Sequence, residues 1–170
     1  NGYADVREAI AQKFKRDNGL TYTAEQIVIS TGAKQSIMNV MLALIGPGDE
    51  VVIPAPFWVT YAEQVRIAGG TPVIVRSTLE EDYKAPIERI AAAITPRTRL
   101  LIFSSPCNPS GSVLTLAEME ALAEVVARHP ELYVISDEIY EHIVFDGTHR
   151  SFAALPGMME RTITVNGLSK

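Results

Sequence analysis

The chain has 170 residues, enough for one domain with a sizeable buried core. Its composition is ordinary for a soluble globular protein, with 47% hydrophobic and 21% charged residues and a net charge of −5. The basic residues form no cluster, which argues against nucleic acid as a partner. No apolar run approaches the ~20 residues of a membrane span, and the one cysteine, Cys107, fits a reducing, cytoplasmic location.

Apolar residues at Val6, Ile10 and Phe14 have helical spacing, and Asn18-Gly19 provides a helix stop. Further helices are predicted at 33–45, 58–68, 86–94 and 115–128. Strands are predicted at 27–30, 50–54, 72–76, 99–103, 132–136 and 162–165. Because strands alternate with helices and most strands are apolar on both faces, we predict an α/β fold with a mostly parallel central sheet and helices on both faces.

Open α/β sheets bind ligands beyond the carboxyl ends of their strands, so polar residues that follow strands are the candidates. The turn Gly32-Ala33-Lys34 opens a helix, where free N–H groups favour an anion such as phosphate. A plain strand-to-helix turn would have the same pattern. Trp58 could stack on a flat ligand, or it could lie in the core or in a subunit contact.

Asn108 lies between Pro106 and Pro109 in a loop that follows a predicted strand. Prolines stiffen the loop, so the amide could be presented to a ligand oxygen, although a structural turn is the alternative.

Asp137 ends an apolar strand and Tyr140 follows three residues later, so both side chains can share one face. A carboxylate at the end of a buried strand needs a cation or hydrogen-bond donors, and a protonated pyridine nitrogen is such a partner. Nucleotide hydrolases also place acids at strand ends, but the sequence lacks the glycine-rich loop that they require. Lys170, after the run 162–165, provides an amine that can hold an aldehyde cofactor as an imine.

Seven segments, in the order of the family, resemble the class I/II aminotransferases of the fold-type I pyridoxal-phosphate group, and most nearly the prokaryotic aspartate aminotransferases. The segments are 31–35 (TGAKQ), 46–51 (GPGDEV), 56–61 (PFWVTY), 93–98 (AITPRT), 105–111 (SPCNPSG), 136–140 (SDEIY) and 166–170 (NGLSK). The resemblance implies a cytoplasmic homodimer that binds pyridoxal 5′-phosphate and acts on amino-acid and 2-oxo-acid substrates.

The resemblance also implies a role for each matching residue. Lys170 would bind the cofactor and carry a proton between the substrate and the cofactor. Asp137 would pair with the ring nitrogen, and Tyr140 would contact the ring's phenolic oxygen. The remaining cofactor-binding residues would be Asn108 at the same oxygen, Trp58 against the ring, and the backbone of Gly32, Ala33 and Lys34 at the phosphate.

The sequence departs from the family pattern at Gly167, where many relatives carry a serine that contacts the phosphate. Cys107 and Ser110 replace asparagine and threonine of close relatives, and neither change should matter much. The family's second phosphate-binding basic residue and its substrate-binding arginine come after the lysine. We therefore expect 1–170 to be part of the cofactor-binding large domain, without the small domain, and to be inactive alone.

Three other functions stay open. A carbon–sulfur lyase or a cyclopropane-forming synthase would use much the same cofactor core as a transaminase of aspartate or glutamate. An aminotransferase-like sensor domain of a transcription regulator would bind the cofactor without turnover, next to a basic winged-helix segment. The three histidines show no metal-ligand spacing, so no metal site is predicted.

Overall fold

Five parallel strands form one sheet in the order β2-β1-β3-β4-β5 in the computed structural model, which describes residues 1–170. The strands are β1 (Glu50–Pro54), β2 (Thr71–Val75), β3 (Thr98–Ser104), β4 (Tyr133–Asp137) and β5 (Thr162–Val165). Each connection between neighbouring parallel strands crosses over the sheet, as parallel pairing requires. The predicted parallel α/β sheet is confirmed.

Five α-helices cover the sheet or pack beside it. They are α1 (Ala4–Asn18), α2 (Ala33–Leu44), α3 (Thr60–Ile67), α4 (Ile87–Ala93) and α5 (Leu116–Ala127). Gly19 ends α1 in the left-handed conformation, and Thr115 and Glu118 form a capping box at the start of α5. None of these helices is both long enough and apolar enough to cross a membrane.

The prediction of a strand at 27–30 is wrong. This segment is extended but pairs with no strand, and the Ile29 N–H donates to the Asn1 carbonyl instead. Ile27 is buried against Ala11 and Phe14 of α1, so its apolar character reflects helix packing outside the sheet. Ile29 lies directly on the backbone of Gly2, where an added Cβ would come within 2.7 Å of its side chain.

The core has two layers because alternate residues of each strand point to opposite faces of the sheet. Leu101 and Phe103 of β3 face α5, whereas Leu100 and Ile102 of the same strand face α2 and α3. Leu100, Leu101 and Ile102 are fully buried. Each such side chain contributes about 1.5–3 kcal/mol of burial free energy, which fixes the register of the sheet and the positions of its carboxyl ends.

Candidate functional site

Loops at the carboxyl ends of the strands carry most of the predicted site residues. The chain places β2 on one side of β1 and then places β3, β4 and β5 on the other side. The strand order therefore reverses between β1 and β3. Such a reversal opens a crevice in which open α/β folds bind ligands. Trp58 follows β1 and Asn108 follows β3, so these two residues come from the loops on the two sides of the reversal.

Asp137, the last residue of β4, is a buried carboxylate with an exposed fraction of 4%. Its Oδ2 accepts a hydrogen bond from the Tyr61 hydroxyl, and its Oδ1 accepts one from the Ile139 N–H at 3.3 Å. Burial raises the pKa of Asp137, while the Tyr61 hydrogen bond acts in the opposite direction. None of the ion pairs in the chain includes Asp137. The carboxylate is therefore buried without a cationic partner.

Tyr61 was not among the residues predicted from the sequence, although it is the side chain that contacts Asp137 most closely. It lies on α3, is 1% exposed, and packs edge-on against Trp58 with ring centroids 5.8 Å apart. Burial raises the pKa of Tyr61 far above its usual range, so the phenol stays protonated and remains a donor. Its helical spacing from Trp58 was the available signal, but Tyr61 does not follow a strand.

Trp58 is half-buried and links two helices near this carboxylate. The Lys34 ammonium lies 4.9 Å from the centroid of the indole ring, within the range of a cation–π contact. Lys34 belongs to the first turn of α2, so the contact joins the α2 start to Trp58 and thus to Tyr61. The indole is held by both neighbours beside the crevice.

The N-terminus of α2 has no side-chain cap. Gly32 takes φ 92°, in the left-handed region that favours glycine. The N–H groups of Ala33 and Lys34 donate to no acceptor in the protein, and Gly32 and Lys34 are exposed. An open helix N-terminus of this kind can bind an anion through its N–H groups and its dipole.

Asn108 and Tyr140 are brought together although 32 residues separate them in the sequence. The Asn108 amide nitrogen lies 3.4 Å from the Tyr140 hydroxyl. Cys107, next to Asn108, donates from Sγ to the Pro56 carbonyl at 3.3 Å, which joins this loop to the one that carries Trp58. Two polar groups with hydrogen-bonding capacity therefore converge above β3 and β4.

The segment that carries Lys170 leaves β5 at the same edge of the sheet. Val165 of β5 is in register with Asp137 of β4, and Lys170 follows Val165 by five residues in an exposed turn. Before it, Gly167 lies so close to the Asp137–Tyr140 turn that an added Cβ would be 2.8 Å from Ile139 Cδ1. Ile139 thus fills the space in which a side chain at position 167 would begin.

Comparison with known proteins gives concordant matches. The family model for class I and II aminotransferases matches residues 1–170. A bifunctional aspartate aminotransferase and glutamate/aspartate-prephenate aminotransferase of Petunia hybrida is 54% identical over 170 residues, which are 99% of this chain and 36% of that protein. An aspartate/prephenate aminotransferase of Cereibacter sphaeroides is 48% identical and is matched by 100% of this chain over 43% of its own length.

The fold agrees with these sequence matches. The crystal structure of the aspartate aminotransferase from Rhizobium meliloti superposes with a TM-score of 0.97 at 44% identity, over 100% of this chain and 43% of that chain. The chain thus spans 36% of the Petunia relative and 43% of the Cereibacter relative. Since the family model matches every residue from 1 to 170, the chain belongs to the class I and II aminotransferases.

Proposed function

We propose that the whole protein is a pyridoxal-phosphate-dependent aminotransferase that moves an amino group between an L-amino acid, aspartate or glutamate, and a 2-oxo acid. The observation that carries this proposal is Asp137, a buried carboxylate without a cation on the strand beside the one that leads to Lys170. Burying an unpaired carboxylate is costly, so a cationic ligand group is the partner that would balance it.

The residues of the site fit pyridoxal phosphate. Asp137 would accept a hydrogen bond from the protonated ring nitrogen, and the free N–H groups at the start of α2 would hold the phosphate. Asn108 and Tyr140 would contact the phenolic oxygen, and Trp58 would lie against the ring. Lys170 supplies the amine that would hold the aldehyde carbon.

When bound, the cofactor supplies a ring that withdraws electrons from the substrate carbon. The chain supplies the remaining parts. The carboxylate of Asp137 would keep the ring nitrogen protonated, and the Tyr61 hydroxyl would hold this carboxylate in place. Lys170 Nζ would take the proton from the substrate Cα and return it, as a general base and then a general acid.

The substrates, assembly and location of the whole protein belong to the same proposal. The names of the relatives from Petunia and Cereibacter both include aspartate and prephenate, and the Petunia name also includes glutamate. We therefore propose 2-oxoglutarate as an acceptor and prephenate as a second acceptor to test. We also propose a cytoplasmic homodimer, whose mass light scattering would measure.

A turnover assay tests the reaction. The full-length protein, loaded with pyridoxal phosphate, should form oxaloacetate from L-aspartate and 2-oxoglutarate, as followed with malate dehydrogenase and NADH. Release of pyruvate from a cysteine conjugate, without transamination, would instead favour the carbon–sulfur lyase. Cofactor binding without either reaction would favour the sensor domain.

The variant Lys170→Ala tests the site. It should lose the visible absorbance band of the lysine-bound cofactor and about 10⁴-fold or more of its turnover, because one amine holds the cofactor and moves the proton. Lys15→Ala on the exposed part of α1 is the matched control and should retain both properties. An unchanged spectrum in Lys170→Ala would show that another amine binds the cofactor.

A further inference from the structure

Glu138, the residue after Asp137, is a second buried carboxylate that the proposed mechanism does not use. It is 1% exposed and points away from Tyr61, toward the segment 149–152. Its carboxylate is surrounded by four hydrogen-bonding groups. These are the hydroxyls of Ser136 and Ser151, each at 2.9 Å from Oε1, the Phe152 N–H at 3.1 Å from Oε1, and His149 Nε2 at 3.0 Å from Oε2.

The backbone of Glu138 starts the turn that carries Tyr140. Its N–H donates to the Val165 carbonyl of β5 at 2.8 Å, and its carbonyl accepts from the Glu141 N–H at 2.9 Å. The Tyr140 carbonyl accepts from the Ile143 N–H at 2.8 Å, which continues the turn. The same residue is therefore fixed through its side chain to 149–152 and through its backbone to β5.

A metal site is the first alternative for this cluster. Ligand atoms of Glu138, Glu141 and His149 lie within 4.8 Å of one another. However, Glu141 is already paired with Lys13 and accepts from the Asn18 amide at 2.8 Å. Three of the four groups around Glu138 contact Oε1, and only His149 contacts Oε2, so Oε1 is fully occupied within the protein. The carboxylate of Glu138 is therefore held by hydrogen bonds within the protein, and Glu141 is committed to Lys13 and Asn18, while His149 Nδ1 is buried without a partner. The cluster does not present three free ligand groups to a metal ion.

We propose that Glu138 is a positioning residue that fixes the turn from Asp137 to Tyr140, so that Asp137 and Tyr140 both face the cofactor. This inference rests on the proposed function. A buried carboxylate with its donors contributes little more to stability than an apolar residue of the same volume would, but it fixes one backbone arrangement through directed hydrogen bonds. Glu138 lies in the chain between Asp137 and Tyr140, so the backbone that its hydrogen bonds fix is the backbone that positions these two site residues.

The contact most sensitive to a shift of this turn is the one between Asn108 and Tyr140. At 3.4 Å it lies near the outer limit of a hydrogen bond. A small displacement of Tyr140 would separate the two groups, whereas the contact of Asp137 with Tyr61 is short. Loss of the Glu138 network should therefore change the properties of the bound cofactor in the same way as loss of the Tyr140 hydroxyl.

The test uses the full-length protein loaded with pyridoxal phosphate and measures the pH midpoint at which the visible band of the bound cofactor changes. Glu138→Gln keeps the volume but weakens the network, and should move the midpoint by about half a pH unit or more, the size of one hydrogen bond. The shift should have the same direction as that of Tyr140→Phe. In the double variant the two shifts should not add, because both act through the Tyr140 hydroxyl.

Glu50→Gln is the matched control, since Glu50 is also a buried glutamate with hydrogen bonds, but it lies at the opposite end of the sheet. It should leave the midpoint unchanged even though it lowers the melting temperature. In the cofactor-free protein, amide hydrogen exchange at 139–143 should accelerate in Glu138→Gln and not in Glu50→Gln.

A midpoint in Glu138→Gln equal to that of the wild type, or shifts that add in the double variant, would overturn the proposal. If Glu138→Gln does not fold, Ser151→Ala replaces it, because it removes one donor and keeps the carboxylate. Ser151→Ala should give a smaller shift in the same direction, and an unchanged midpoint would count against Glu138. Absence of any visible band in the wild type would refute the proposed function itself, and this inference with it.

Discussion

Glu50 at the amino end of the sheet and Asp137 at the carboxyl end are both buried carboxylates, but the groups that surround them differ. At the amino end, Glu50 of β1 accepts a hydrogen bond from the Thr95 hydroxyl at 2.6 Å and forms an ion pair with Arg97. These contacts hold the pKa of Glu50 below its ordinary value, and the hydrogen bond from Thr95 has the largest effect. At the carboxyl end, Asp137 has donors but no cation, and burial raises its pKa.

The difference distinguishes a group that stabilises the fold from one that costs stability. A carboxylate with a lowered pKa stabilises the native state when it is ionised, and one with a raised pKa destabilises it. The ionised Asp137 carboxylate thus lowers the stability of the protein without ligand. Groups of this kind concentrate at functional sites, where a ligand supplies the missing partner.

The largest expected effect that tests this comparison is on turnover. Asp137→Ala in the full-length protein should reduce kcat by about 10³-fold while the visible band of the bound cofactor remains, because the ring nitrogen loses the group that keeps it protonated. Glu50→Ala should leave kcat unchanged, since it lies at the opposite edge. Steady-state kinetics and absorbance spectra would measure both. Near-normal kcat in Asp137→Ala would remove the functional distinction between the two ends.

The second effect is smaller and concerns Tyr61. Tyr61→Phe keeps the ring and removes the donor, so the pKa of Asp137 should rise further, because this hydrogen bond lowers it. We expect kcat/KM to fall about tenfold, the value of one hydrogen bond to a charged group, and the acid limb of its pH profile to move to higher pH.

Tyr133→Phe, at the exposed amino end of β4, is the control for Tyr61→Phe and should behave as the wild type. If the acid limb of Tyr61→Phe did not move, the hydroxyl would have no influence on Asp137, and Tyr61 would be a packing residue only.

Local signals predicted much of this fold because they act over a few residues. Asn18-Gly19 ended α1 where expected, and the Thr115–Glu118 pair opened α5. The sequence of 27–30 predicts a strand, and the prediction fails because an apolar segment has the same composition whether it packs on a helix or enters a sheet. Only the packing of Ile27 against α1 distinguishes the two cases.

The site was predictable at strand ends and not elsewhere. Asp137 and Asn108 follow strands, so their position at the carboxyl edge could be inferred from the sequence. The contact of Asp137 with Tyr61 joins residues 76 positions apart, and it depends on how α3 packs over β4. The network of Glu138 likewise depends on the irregular segment 149–152, for which the sequence has no periodic signal.

The smallest expected effects are on the stability of the cofactor-free full-length protein, and they should have opposite signs at the two ends. The folded-state pKa of Asp137 is raised, so its cost is absent below the unfolded value near pH 4 and grows as the pH rises toward the folded value. Asp137→Asn removes this cost and should raise the melting temperature at pH 7 by a few degrees.

The folded-state pKa of Glu50 is lowered, so its contribution is present above the unfolded value and is lost as the pH falls through the folded value. Glu50→Gln should therefore lower the melting temperature at pH 7, and this effect should disappear only as the pH falls through the lowered folded-state pKa. Calorimetry from pH 8 down to well below the ordinary carboxyl pKa of about 4 would measure both variants against the wild type. If Asp137→Asn were destabilising at pH 7, the carboxylate would already be balanced within the chain, and the requirement for a cationic ligand at this end would disappear.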